Sequence, residues 1–284
     1  MTIAIVIAAF GTTTDAQKTY SFMDHCFKGR FPDHEIRWAF SSRMVKEHLR
    51  KRSEVNLQSP TEVLEALYSQ GHSWAVVQSL HIINGHELYR LVEEVKSLPI
   101  RTSIGLPLLT SYPDYSSVAE AMSLKYGHHM TQEKALVLVG HGTDHPAWSS
   151  YLAFESILRQ TAGGQIAAPD HNSDRPVLNQ PSALSYTEEK PRIFVGLIEE
   201  EPSQSQVIEA VVRSGAKKVY LVPFTLVAGV HFKEDIAGSE ESWRAAFEEA
   251  GLTVEIESRG IGYQEAVVDI FMDHIQDALL VIPD

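Results

Sequence analysis

Cysteine is nearly missing from this sequence. One of its 284 residues, Cys26, is a cysteine, so an internal disulfide is excluded and so are the zinc sites built from several thiolates. Positive charge is also scarce. Lys plus Arg number 24 against 37 for Asp plus Glu, giving a formal charge of −13. A general nucleic-acid binder needs a basic face to neutralise phosphates, and this balance leaves room only for a local basic pocket. Long apolar runs are lacking too. The run 3–9 has no Lys or Arg before it and is shorter than the apolar core of a secretory leader. No stretch approaches the ~18 apolar residues of a membrane span. A cytoplasmic protein without nucleic acid or membrane as a partner is expected. The chain has no Walker loop, no G-x-S-x-G elbow, and in GHG at 140–142 no third glycine of a dinucleotide fingerprint.

What is present describes a globular α/β protein. Hydrophobic residues make up 44% and charged residues 21%, and a chain of this length buries a core without help from metal or disulfide. Short apolar runs rich in Val and Ile occur at 3–10, 74–80, 135–140, 193–198, 219–224 and 254–257. Nearly continuous apolarity predicts strands covered on both faces. Helix-period segments lie between them. Residues 60–70 place Val63, Leu64 and Leu67 on one face and stop at Gly71, and 204–214 repeat the pattern and stop at Gly215. This alternation predicts parallel sheets with helices on both sides.

The chain also repeats itself. A shift of 144 residues aligns 59–85 with 203–229 without a gap, matching Ser59 with Ser203, Val63 with Val207, Glu65 with Glu209, Ala66 with Ala210, Gly71 with Gly215 and Gly85 with Gly229. AIVIAAFGTTTD at 4–15 echoes ALVLVGHGTDHP at 135–146, at an offset of 131. The difference places an insertion in the second half. Residues 161–189, rich in Gly, Pro, Asn, Asp, Ser and Gln and without a clear period, read as an excursion loop. Two similar three-layer α/β/α lobes are expected, 1–128 and 129–284, with the boundary near 127–132 and the active-site cleft between them.

Open α/β sheets bind ligands outside the carboxyl ends of their strands. His141, Glu199 and His231 all fall at such ends in the second half. Two imidazoles and a carboxylate suit a divalent metal with open positions, and neutral imidazole also accepts protons. Each residue has an ordinary reading as well. Thirteen histidines occur in the chain, and one taken alone is usually structural; Glu199, Glu200 and Glu201 also suit the start of a helix after Pro202. His145 reads as a cap or packing residue, Cys26 as a packing residue, and the basic cluster of Arg43, Lys46, Arg50, Lys51 and Arg52 as a solvated helix face. The repeat maps His231 onto Glu87 and His141 onto Phe10. The scaffold is duplicated and the polar chemistry is not.

Seven motifs in order carry a family resemblance: AAFGTTTDAQKTY at 8–20, WAFSSRMV at 38–45, QSLHIINGHE at 78–87, GLPLL at 105–109, LVGHGTDHPAW at 138–148, VGLIEEEP at 195–202 and LVPFTLVAGVHFKEDIAG at 221–238. With them the chain resembles the class II chelatases of tetrapyrrole synthesis, in particular the anaerobic sirohydrochlorin cobaltochelatases of the CbiK type. The resemblance implies ATP-independent insertion of Co²⁺ into sirohydrochlorin, with Fe²⁺ and Ni²⁺ as alternative ions and no further cofactor. It implies that His141 and His231 hold the metal, that one of them accepts a pyrrole proton, and that Glu87 relays protons across the cleft. The metal-binding glutamate of the family falls on Glu199, in a turn where Glu200 and Glu201 are rivals. Phe10, Gly11, Thr12 and Arg43 are the expected substrate contacts.

Insertion exchanges two pyrrole protons for one dication, so a site needs a base, a cation ligand set and a local positive charge for a polycarboxylate ring. The rival within the class is a sirohydrochlorin ferrochelatase serving sirohaem. The rival of another class is a tetrapyrrole or haem carrier that uses one histidine axially. A metal-dependent hydrolase ranks behind both, since H-E-x-x-H is lacking. Sirohydrochlorin and a divalent ion are the expected partners, and a homo-oligomer stays open. Arg43→Ala is expected to weaken tetrapyrrole binding while leaving cobalt binding unchanged. Equal tetrapyrrole affinity in variant and parent, measured by fluorescence quenching, would discard that contact.

Overall fold

The computed structural model describes residues 2–12, 14, 16–42, 57–129, 131, 133–163 and 191–283. Arg43 and the basic cluster after it lie outside these residues. The chain packs as two compact units, one of residues 1–110 with 262–284 and the other of 111–261.

The first unit is built on β1 (Ala4–Ala9), β2 (Ile36–Phe40), β3 (Trp74–Ser79) and β4 (Arg101–Gly105), an all-parallel sheet in the order β2-β1-β3-β4. Every residue of β1 is buried, which is why this strand reads as an unbroken apolar run. Alternate side chains serve opposite layers. Ala4, Val6 and Ala8 meet Val63, Leu64 and Leu67 of α2 (Pro60–Ser69) and Leu91 and Val95 of α3 (His86–Lys96). The opposite face carries α1 (Gln17–Arg30) and α8 (Glu265–Leu280), which packs on β3 and β4. Each large apolar side chain covered in this way contributes about 1.5–3 kcal/mol.

The second unit repeats the plan. β5 (Lys134–Gly140), β6 (Ile193–Leu197), β7 (Lys218–Pro223) and β8 (Thr253–Ile256) pair in parallel in the order β6-β5-β7-β8. Ala135, Val137 and Val139 face Val207 and Val211 of α6 (Gln204–Arg213) and Trp243 and Phe247 of α7 (Trp243–Glu249). α5 (Ser149–Ala162) covers the other face, where Phe154 stacks on Phe224 with ring centroids 4.7 Å apart, and α4 (Tyr112–Tyr126) packs on α5.

The repeated identities are the punctuation of a repeated strand–helix–strand unit. Ser59 caps α2 through a capping box with Glu62, and Ser203 holds the N-cap position of α6. Gly71 and Gly215 follow the two helices with φ of +92° and +80°, a left-handed conformation that only glycine adopts without penalty.

The units are bounded differently from the expected 1–128 and 129–284. The helix that follows β4, α4, packs with the second unit, and the helix that follows β8, α8, packs with the first. Equivalent helices thus leave the sheet they follow in sequence. The edge strands β2 and β4 were not expected; IRWAF and RTSIG are short and interrupted by Arg37, Arg101 and Thr102, so neither reads as a doubly covered strand. Of the expected excursion loop 161–189, Thr161 and Ala162 are the end of α5, and 164–189 lie outside the described residues. Among the described residues no helix is long and apolar enough to cross a membrane.

One polar group stands against this apolar packing. His81, just past β3, shares a 2.7 Å hydrogen bond between its Nδ1 and Ser79 Oγ, and its Nε2 is buried without a partner among the described residues. Burial pushes its pKa from 6.5 down to about 4, because the protonated ring would lie out of water. The unfolded chain therefore binds a proton near pH 6.5 that the folded chain refuses until about pH 4. Stability is expected to fall as pH drops through that window, by roughly 3 kcal/mol in all. Urea unfolding at a series of pH values should show this slope, and His81→Gln should flatten it.

Candidate metal centre

Three strand ends of the second unit converge. β5 ends at Gly140 and delivers His141, β6 ends at Leu197 and delivers Glu199, and β7 ends at Pro223, eight residues before His231. The β5–β6 ladder continues past both strands. Ile198 N–H donates to Gly140 O at 3.0 Å and Glu199 N–H donates to His141 O at 2.8 Å. These two bonds set the backbones of His141 and Glu199 side by side.

The side chains follow. His141 Nδ1 stands 3.7 Å from Glu199 Oε2. The rings of His141 and His231 meet edge to face, with centroids 4.8 Å apart and planes at 88°. His231 Nδ1 in turn lies 2.7 Å from Asp235 Oδ2. The three side chains singled out from strand ends are therefore neighbours. Among the described residues no three His, Cys, Asp or Glu side chains already form a ligating cage. Side-chain exposures of 43% for His141, 61% for Glu199 and 55% for His231 leave them free to turn toward an incoming ion. First-row ions take imidazole nitrogen at about 2.0–2.1 Å, and two imidazoles with one carboxylate suit cobalt, iron or nickel better than the all-oxygen sites of magnesium or calcium.

The other acids of the turn differ in their surroundings. Glu201 Oε2 accepts from Ser203 N–H at 2.9 Å and so serves the start of α6. Glu200 occupies the left-handed region, with φ of +67°, at a cost of roughly 1–2 kcal/mol for a residue with a Cβ. Glu199 alone of the three places its carboxylate beside the His141 ring, with Oε2 3.7 Å from Nδ1.

Gly142 makes the close approach possible. It has φ of +92°, and a Cβ there would lie 1.8 Å from Glu199 O. The phenol of Tyr151 is hydrogen-bonded to the Gly142 backbone, and burial pushes its pKa up to about 12, so it stays protonated. The first unit holds the counterpart, with Tyr20 bonded to the backbone of Gly11, whose φ is +99°. Neither tyrosine was singled out from the sequence, although both sit at the offset of 131 that relates the two halves.

The remaining candidates occupy other positions. Phe10, Gly11 and Thr12 directly follow β1 in the first unit. Phe10 is 48% exposed, while Thr12 is buried with its Oγ1 3.1 Å from Thr14 Oγ1. Ser42 N–H donates to Phe10 O at 3.2 Å, the bond that Glu199 and His141 make in the second unit. Glu87 lies in the first turn of α3, bridged to Arg90 at 2.6 Å, and is not among the residues that the second unit assembles. His145 is a cap: its Nδ1 accepts from Ala147 N–H at 3.1 Å. Cys26 is half-buried on α1, and burial with the nearby Glu265 and Asp269 carboxylates pushes its thiol up, away from nucleophilic reactivity.

Gly142→Ala must move the Glu199 backbone or itself. The substitution is expected to lower stability by about 1–2 kcal/mol or more and to weaken cobalt binding at least about tenfold. Urea unfolding and a titration of the cobalt absorption bands check both.

A model of the cobalt chelatase (CbiK) family matches residues 3–181 and 182–280. The sirohydrochlorin cobaltochelatase of Salmonella typhimurium is 28% identical over 282 residues, covering 97% of this chain and 96% of that one. The sirohydrochlorin cobaltochelatase CbiKC of Nitratidesulfovibrio vulgaris is 29% identical over 290 residues, covering 99% and 92%. Among solved structures, that of SirB from Bacillus subtilis with Fe³⁺ superposes with a TM-score of 0.60 at 16% identity, covering 98% of this chain and 96% of that one, which is a likeness of fold. With its two parallel four-stranded units and a match that runs from residue 3 to residue 280, the chain belongs to the cobalt chelatase (CbiK) family.

Proposed function

We propose that this protein inserts Co²⁺ into sirohydrochlorin without a nucleotide or a resident cofactor. The observation that carries the reading is the meeting of His141, Glu199 and His231 at the carboxyl ends of β5, β6 and beyond β7, in a chain whose near-full-length relatives bear the name sirohydrochlorin cobaltochelatase.

The three residues divide the work by their chemistry. Glu199 carries the negative charge that draws the hydrated ion and replaces part of its water. His141 and His231 supply neutral nitrogen donors, which bind a borderline-soft ion tightly enough to strip water and loosely enough to release it. Once the ion moves into the ring, two pyrrole protons must leave. An imidazole freed from the ion takes up one of them on its lone pair, and water carries the other away. His141 suits this step, since its Nδ1 faces Glu199 at 3.7 Å and a protonated ring there is held by the carboxylate. Phe10, Gly11 and Thr12 of the first unit and Arg43 are proposed contacts of the tetrapyrrole, Arg43 through a substrate carboxylate.

An anaerobic absorbance time course with sirohydrochlorin and either Co²⁺ or Fe²⁺ tests the reading. Conversion well above the spontaneous rate is expected with Co²⁺. It should fall by about 10²-fold or more in a His141→Ala/His231→Ala double variant. Faster turnover of Fe²⁺ would make the protein a ferrochelatase, and tetrapyrrole binding without acceleration by either ion would make it a carrier.

A further inference from the structure

We propose that Asp235 is the positioning residue of the metal centre, holding His231 in the tautomer and orientation that present Nε2 to the ion; the proposal rests on the reading of His231 as a ligand. The contact is direct. Asp235 Oδ2 lies 2.7 Å from His231 Nδ1. A carboxylate accepts and does not donate, so Nδ1 is the protonated nitrogen and the lone pair of the neutral ring resides on Nε2. Metal-ligating histidines ordinarily owe ring orientation and donor strength to such a bond on the second nitrogen. Among the described residues His231 has this bond to Asp235, while His141 Nδ1 has only a 3.3 Å approach to Gly142 O and the 3.7 Å pair with Glu199. The two histidines are therefore unequal: one is braced by a dedicated carboxylate, and the other is left to move.

The backbone around Asp235 is built to hold it. His231 precedes a π-helical turn, Phe232–Ile236, closed by Ala237 N–H donating to Phe232 O at 2.8 Å. Ile236, the residue next to Asp235, is fully buried and joins the core beneath β5 and β7. Glu234, on the other side, has its carbonyl packed against Gly238, where a Cβ would meet that oxygen at 2.4 Å. Ser242 Oγ–H donates to Gly238 O at 2.7 Å and ties the turn to the start of α7. Asp235 thus sits between two anchored neighbours. A π-turn costs hydrogen-bond quality, and such turns recur where side chains must be aimed.

The test uses the full-length protein with Co²⁺ alone, read by the cobalt absorption bands, beside long-range ¹H–¹⁵N spectra of the histidine rings. The parent is expected to show His231 protonated on Nδ1. Asp235→Ala should lose that signature and weaken Co²⁺ binding by about 10–100-fold. Asp235→Asn keeps an acceptor oxygen in place and should retain the tautomer and recover most of the affinity. A His231→Ala/Asp235→Ala variant should bind no more weakly than His231→Ala, because the aspartate acts through the histidine. Thermal unfolding of each variant separates a general loss of structure from a local one. Co²⁺ affinity in Asp235→Ala within about twofold of the parent, with His231→Ala strongly impaired, would overturn the positioning role and leave the ligand reading standing. Unchanged affinity in His231→Ala would overturn the ligand reading and the proposal with it.

Discussion

Parallel pairing governs the chemistry of this protein. In a parallel sheet every strand points the same way, so the residues that follow successive strands emerge on one edge. The β5–β6 ladder runs two hydrogen bonds beyond the strands themselves, from Ile198 to Gly140 and from Glu199 to His141. That extension brings together residues separated by 58 positions (199 − 141). It also explains the backbone around them. The approach is close enough that Gly142 has no room for a side chain, and Glu200 takes a left-handed conformation immediately after the acid that pairs with His141. The unfavourable backbone is tolerated because β6 and β5 are buried on both faces and hold their ends in register.

The duplication is one of scaffold, and the structure reports how far it goes. Both sheets have the same strand order, both helices that lead into the third strand are entered through a serine and left through a left-handed glycine, and both first strands lead into a glycine whose backbone is bonded by a tyrosine. The groups placed on that frame differ. Phe10 and Ser42 meet in the first unit as His141 and Glu199 meet in the second. In the segment after the third strand, an eleven-residue α-helix in one unit is matched by a short π-turn in the other. One half keeps an apolar and hydroxyl-bearing edge, and the other gathers two imidazoles and a carboxylate.

Much of this was legible in the residues, for identifiable reasons. β1, β5 and β7 are central, so both faces are buried and the apolar runs are continuous. Their positions fall within a residue or two of the expected ones. β2 and β4 are edge strands, and Arg37 and Arg101 on them carry no apolar pattern to read. His141, Glu199 and His231 were visible because each follows such a run. Asp235 was not, since its meaning lies in a turn closed by an i→i+5 bond and in its distance from one ring nitrogen. Tyr151 and Tyr20 were hidden within helices whose apolar periodicity accounts for them equally well.

The amino-acid sequence by itself determined the class of the fold, the helix starts and stops, the duplicated frame and the family, because each is written in local pattern: apolar period, capping serine, left-handed glycine, ordered motif. Tertiary structure alone decided which unit each helix joins. α4 and α8 both follow the last strand of one sheet and pack with the other unit, and nothing in an amphipathic helix specifies which of two apolar faces it covers. Tertiary structure alone also decided that Glu199 pairs with His141 while Glu201 serves the helix after it. Three consecutive identical residues differ only in backbone direction, and that direction is set by the ladder and the left-handed turn between them.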